Sequence, residues 1–143
     1  MIDRAGILAI VPHQGAMCLW DAVVAWDAQT IRLRTGTHRT ADHPLRREGR
    51  LHAVHLCEYG AQAMAVHGGL LARERGERAG DGMLVALRGV ALHVARVDDL
   101  PGDLDCEAQA LVLGASGQQY AFRITHAGAL LAEGRAAVLV RGG

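Results

Sequence analysis

Glu58 and Gln62 stand one helical turn apart in Glu58-Tyr59-Gly60-Ala61-Gln62-Ala63-Met64-Ala65, a run otherwise built of small and apolar residues. On a helix this spacing puts the carboxylate and the carboxamide on one face. Burying a carboxylate is costly unless something pairs with it, so an acid in a helix of this composition points to proton transfer. Gln62 reads as a hydrogen-bonding support for that acid. His55 lies one turn before Glu58 and is a candidate proton-transfer partner. His52, His55 and Glu58 also spell H-x-x-H-x-x-E, which suggests metal ligands. Positions i, i+3 and i+6 drift around a helix axis, however, and three ligands from one helix rarely close a tetrahedral site, so we expect no metal. Cys57 beside Glu58 points away from it as an adjacent helix position and reads as core.

The elements that must position these groups follow from pattern. Trp20 to Asp27 and Thr30 to Thr37 read as a hairpin, with Ile31 and Leu33 alternating against Arg32 and Arg34 and a turn at Asp27-Ala28-Gln29. Pro44 and Gly49 break the stretch from His38 to Arg50 into a loop. Leu51 to about Ala72 is apolar nearly all round, as expected of a helix enclosed on several sides. Arg73 to Gly82 reads as a solvated loop. Four strands follow, Met83 to Val97, Leu104 to Leu113, Gln118 to His126 and Leu130 to Arg141, joined by short turns that imply an antiparallel meander. The expected class is α+β, a long central helix wrapped by an antiparallel sheet.

At 143 residues, half of them apolar, the chain fits a single domain spanning 1–143. Its formal net charge is zero, with every basic residue apart from histidine an arginine and no long basic block, so no nucleic-acid partner is expected. Cys18, Cys57 and Cys106 form no CxxC pair, which fits a reducing compartment. The apolar patch from Ile7 to Val11 is too short for a leader or a membrane span, and a cytoplasmic protein without a membrane partner is expected.

Two windows resemble a known family. Pro12-His13-Gln14-Gly15-Ala16-Met17-Cys18-Leu19-Trp20-Asp21 is similar to the opening PHR-x-P-F-L-L-V-D of the 3-hydroxyacyl carrier-protein dehydratases, and Glu58-x-x-Ala61-Gln62 to their E-x-x-A-Q helix motif. Gly49-Arg50-Leu51-His52-Ala53 and the run from Glu58 to Gly68 resemble more closely the dehydratase-like subgroup of aryl polyene biosynthesis, with its GRLPA and EYxAQAxAxHG patterns. His52 in place of Pro is the departure. The resemblance implies the hotdog fold and dehydration of a 3-hydroxyacyl thioester to the trans-2-enoyl product, in fatty acid or polyene-type biosynthesis. It implies no cofactor beyond the phosphopantetheine that tethers the substrate.

By the same resemblance, Glu58 assists departure of the hydroxyl and a loop histidine removes the α-proton. The family places that histidine fourteen residues before the acid, where Pro44 stands, so a loop longer by one residue assigns the role to His43. His13 matches a histidine that is structural or near the tunnel mouth. Backbone N–H groups of Ala53 and Val54 are the expected donors to the thioester oxyanion. Arg46, Arg47 and Arg50 are candidates for contacting the phosphopantetheine phosphate or an acidic acyl carrier protein. A CoA thioester is the other substrate form. Hotdog subunits are completed by a second subunit, so a homodimer, a heterodimer with a paralogue or a higher oligomer is expected. Two alternatives stay open: a hotdog thioesterase in which Glu58 activates water, and a catalytically impaired dehydratase-like subunit that partners an active paralogue.

Overall fold

Chain entry is set by Asp3, whose carboxylate accepts from the Gly6 N–H at 3.0 Å and caps a short helix α1, Arg4–Leu8. In the computed structural model, which describes residues 1–78 and 82–140, an irregular stretch then leads to strands β1, Ala22–Trp26, and β2, Thr30–Thr35. Their turn is closed by Asp27, whose Oδ1 accepts from the Gln29 and Thr30 N–H groups at 2.8 and 2.7 Å and from the Thr30 hydroxyl at 3.1 Å. The side chain supplies the acceptor that a tight turn would otherwise need from backbone. These bonds, those from the Gln29 and Thr30 amides foremost, hold the Asp27 carboxyl below its usual range.

The central helix α2 runs Leu56–Glu74, preceded by a 3-10 turn at Ala53–His55. It begins later than the pattern predicts because residues 51–53 are drawn into extended pairing with 95–97. Val97 N–H donates to Leu51 O and Ala53 N–H to Ala95 O, both at 3.0 Å, and His52 bridges Arg96. Asp98 reinforces the join by accepting from Leu51 N–H at 2.8 Å, while its hydrogen bond from Arg96 holds its carboxyl well below the usual range. The helix continues through Gly68-Gly69 and ends in a Schellman motif. Gly76, at φ +71°, donates to Arg73 O and Glu77 donates to Ala72 O.

Four strands follow: β3, Gly82–Leu92; β4, Leu104–Leu113; β5, Gly117–His126; and β6, Ala129–Val140. Residues 79–81 of the expected loop and the Arg141 end of the last strand lie outside the described residues. The sheet order is β1-β2-β4-β5-β6-β3, with every neighbour antiparallel. Only β4, β5 and β6 form the expected meander. The helix carries the chain from β2 to the opposite edge, so β3 lands outside β6 and the sheet curls round α2. The expected strand Met83 to Val97 stops at Leu92, because 95–97 turn away to pair with 51–53.

The core is packed where α2 meets the sheet, around Trp20, Leu56, Tyr59, Met64, Tyr120 and Phe122. At Gly60 the helix touches the sheet so closely that a Cβ would lie 2.7 Å from Cγ of Phe122. Further along, buried His67 bolts α2 to both sides of the fold. Its Nε2–H donates to Asp27 O at 2.7 Å, so its Nδ1 accepts the Tyr120 hydroxyl. No helix among the described residues is long and apolar enough to cross a membrane.

Strand β3 is the exception to this packing. It is a sheet edge, and Met83, Leu84, Val85, Leu87, Val90 and Leu92 along it are 39 to 53% exposed. An edge with unpaired backbone and apolar side chains on both faces marks an interaction surface.

The contact at Gly60 yields a prediction. Gly60→Ala gains helix propensity but overpacks against Phe122, and it should destabilise the fold by about 1–3 kcal/mol, as read from urea denaturation midpoints.

Candidate active site

The site is assembled from the first turns of α2 and the chain segment between α1 and β1. Glu58 sits in the first turn, with its side chain 37% exposed. Gln62, one turn on, is 3% exposed, and its amide orientation is fixed by backbone. Oε1 accepts from Leu19 N–H at 2.9 Å, so Nε2 must be the donor, to Met17 O at 2.7 Å and to Glu58 Oε1 at 3.2 Å. Both amide hydrogens are thereby spent, one of them on the carboxylate. The support role read from the sequence is matched by this geometry.

His13 lies on the same segment, Nε2 at 4.0 Å from Glu58 Oε1, with its side chain 29% exposed. Its Nδ1 is buried without a hydrogen-bond partner. The segment is strapped by Gln14, whose Nε2 donates to Leu8 O and Val11 O at 2.8 and 3.0 Å.

His43 is placed elsewhere. It is 5% exposed, its Nδ1 accepts from Leu45 N–H at 3.1 Å, and its Nε2 bonds the Tyr59 hydroxyl at 2.9 Å. The Leu45 bond fixes the tautomer, so Nε2 carries the hydrogen and donates to Tyr59. Tyr59 donates in turn to Thr37 Oγ1 at 2.9 Å, and Thr37 to Leu19 O at 2.7 Å. Both ring nitrogens are consumed by this chain, and no ion pair joins His43 to Glu58 among the described residues. His43 also lines a cavity of about 400 Å³ with Thr37, Thr40 and Asp21, a cavity whose walls include neither Glu58 nor His13. Within one protomer, then, the structure gives His43 a structural task where the resemblance implies a base. Burial pushes the Tyr59 phenol up to about 12, so it stays protonated as a donor.

The remaining expected residues divide similarly. The Ala53 N–H is committed to Ala95 O, so of the two expected oxyanion donors only the Val54 N–H makes no hydrogen bond among the described residues. His55 occupies the 3-10 turn, partly exposed, and His52 precedes it in extended backbone, so the H-x-x-H-x-x-E residues do not share one helix. No group of three or more His, Cys, Asp or Glu side chains is placed to hold a metal ion among the described residues.

Arg46 is a brace, its guanidinium donating to Gly49 O at 2.9 Å and His38 O at 3.3 Å. Arg47 and Arg50 face each other across a two-residue turn, exchanging N–H···O bonds at 2.8 and 2.9 Å. Glu48 and Gly49 in that turn have φ of +52° and +75°, the primed geometry that suits a tight hairpin. With His52 the three arginines border an open cleft of about 520 Å³.

Tyr59, Thr37 and the His67–Tyr120 pair were not singled out in the sequence. The only signal for two of them was their place in the resembled pattern, Tyr59 beside Glu58 and His67 before Gly68.

A buried helix ringed by an antiparallel sheet, with a half-open acid at the helix start, defines a hotdog-fold protein built for acid–base work. The chain belongs to the ApeP-like family, described as ApeP dehydratase, whose model matches residues 5–141. This places it among dehydratases. The dehydratase heterocomplex ApeI:P from Xenorhabdus doucetiae is similar in structure, with a TM-score of 0.82 at 24% identity over 92% of this chain and 88% of that one. AziG of S. sahachiroi has a TM-score of 0.61 at 18% identity, covering 85% and 91%. A hypothetical thioesterase with coenzyme A from Streptococcus pneumoniae TIGR4 has a TM-score of 0.61 at 15% identity, covering 85% of each chain. At these identities the likeness is one of fold. Among curated proteins none matches the chain.

The histidines set a pH dependence. Burial is the first cause holding His38, His43, His55 and His67 below the ordinary histidine range, so the folded state binds fewer protons than the unfolded one. Stability should therefore be greatest above the unfolded histidine pKa of about 6.5 and fall as pH drops from 7 towards 5. A melting temperature that stays level or rises over that interval would contradict this.

Proposed function

We propose that this chain dehydrates 3-hydroxyacyl groups carried as phosphopantetheine thioesters on an acyl carrier protein, giving the trans-2-enoyl thioester. The observation that carries the reading is the Glu58 carboxyl, held by Gln62 and left open to the surface at the start of α2. An acid in that position can protonate a departing hydroxyl, and the unspent Val54 N–H ahead of it can take up charge on a thioester oxygen. The family membership supports dehydration as the class of reaction.

The test is product analysis by mass spectrometry after incubation with 3-hydroxyacyl carrier proteins. Loss of one water is the expected result, and Glu58→Gln should slow it by at least about 10²-fold. Release of free thiol in place of the enoyl product would establish the thioesterase reading instead.

Arg47 and Arg50 supply paired positive charge beside the helix start. Like charges facing across a turn cost stability, a cost that an anionic partner offsets. The double variant Arg47→Glu/Arg50→Glu should raise KM several-fold for the carrier-protein substrate and leave KM for a substrate on pantetheine lacking its phosphate nearly unchanged.

A second reading is favoured by the commitment of His43 to Tyr59 and by the heterocomplex named for the Xenorhabdus structure. In it an unlike hotdog subunit covers strand β3 and supplies the base. A purified chain that is inert alone and active only with its paralogue would select this reading.

A further inference from the structure

We propose that His13 of the same chain is the proton-transfer partner of Glu58, so that one protomer carries the whole acid–base pair; this rests on the dehydratase reading above. Three observations converge on it. His13 Nε2 is the histidine nitrogen within 4.0 Å of the Glu58 carboxylate among the described residues, and no other histidine pairs with that acid. Both side chains are open to the surface, at 29 and 37%, whereas His43 at 5% offers a substrate no access.

The third observation is an accounting of ring nitrogens. His43 and His67 each have both nitrogens in hydrogen bonds, which fixes their tautomers and occupies their lone pairs. His13 has neither: Nδ1 is buried without a partner, and Nε2 faces Glu58 across the gap. A buried ring nitrogen left unmet is unfavourable, and unmet groups of this kind collect where chemistry requires them. The ring is nevertheless held in place. Gln14 straps its turn, and Gln62 ties the following residues Met17 and Leu19 to the same helix that bears Glu58.

A separation of 4.0 Å is too wide for a direct hydrogen bond and admits one oxygen atom in contact with both groups. With hydrogen on Nδ1, the Nε2 lone pair takes the α-proton of the substrate while the Glu58 carboxylic acid donates to the 3-hydroxyl. The C–H electron pair becomes the new carbon–carbon double bond, the C–O bond breaks with its pair on oxygen, and water leaves. His13 is then an imidazolium beside the Glu58 carboxylate. The product water, seated in the gap, returns the proton and restores the starting pair.

The experiment uses the full chain, with a 3-hydroxyacyl pantetheine thioester as probe and a paralogue present if activity requires one. His13→Gln should lower kcat by about 10²-fold or more with KM little changed, and His13→Gln/Glu58→Gln should be no slower than Glu58→Gln alone. Each single variant should remove one limb of the pH–rate profile. Wild-type kcat and pH profile in His13→Gln would overturn the proposal, as would loss of turnover in His43→Gln with turnover kept in His13→Gln. An independent readout is the imidazole ¹⁵N spectrum. Glu58→Gln should move the His13 ring signals and leave those of His43 in place, and unmoved His13 signals would overturn the pairing. If the wild type forms no enoyl product from any probe, the dehydratase reading fails, while a His13 response to Glu58→Gln still supports the pair.

Discussion

The Gln62 carboxamide is the tie on which the site depends. One buried group joins two backbone positions of the incoming segment to the central helix and still has a hydrogen left for Glu58. Its orientation is not a matter of side-chain preference, because the Leu19 N–H admits only an oxygen opposite it. Without that constraint the segment bearing His13 and the helix bearing Glu58 would be independent bodies, and the gap between them would have no set width. A buried amide with every polar atom met costs little to keep and much to break, so positional precision comes at small expense in stability.

The polar interior is organised by the same principle, with each group's donor or acceptor role imposed by its neighbour. Leu45 N–H sets the His43 tautomer, His43 sets the direction of the Tyr59 hydroxyl, and Tyr59 sets that of Thr37. The chain ends on Leu19 O, the carbonyl of a residue whose N–H is held by Gln62. Two networks, one structural and one at the site, thus meet at a single peptide position. Low interior polarity strengthens both, and it also keeps the histidines inside uncharged.

What could be read from sequence was what local spacing determines. The carboxylate and amide at i, i+4, the alternation of Ile31 and Leu33, and the enclosed helix all depend on residues near one another in the chain. The start of α2 was displaced because residues 51–53 pair with 95–97, a contact that no local pattern encodes. Sheet order escaped for a similar reason: periodicity says that β3 is a strand and not which neighbour it takes. His43 was misplaced most instructively. Its position in the resembled motif is near enough, yet the Tyr59 hydroxyl sixteen residues on claims its nitrogen, and hydrogen-bond claims of that range are settled only by packing.

Strand β3 carries a consequence for the protein in dilute solution. Its apolar faces and unpaired edge pair only with β6 inside the chain, so much of the strand's burial has to be supplied from outside. Stability is then a function of concentration as well as of sequence, because whatever covers the edge stabilises the folded form by mass action. A subunit made in excess of its cover would hold a sticky strand open for as long as the imbalance lasts. Stoichiometric synthesis of the covering chain is therefore part of what keeps this fold soluble.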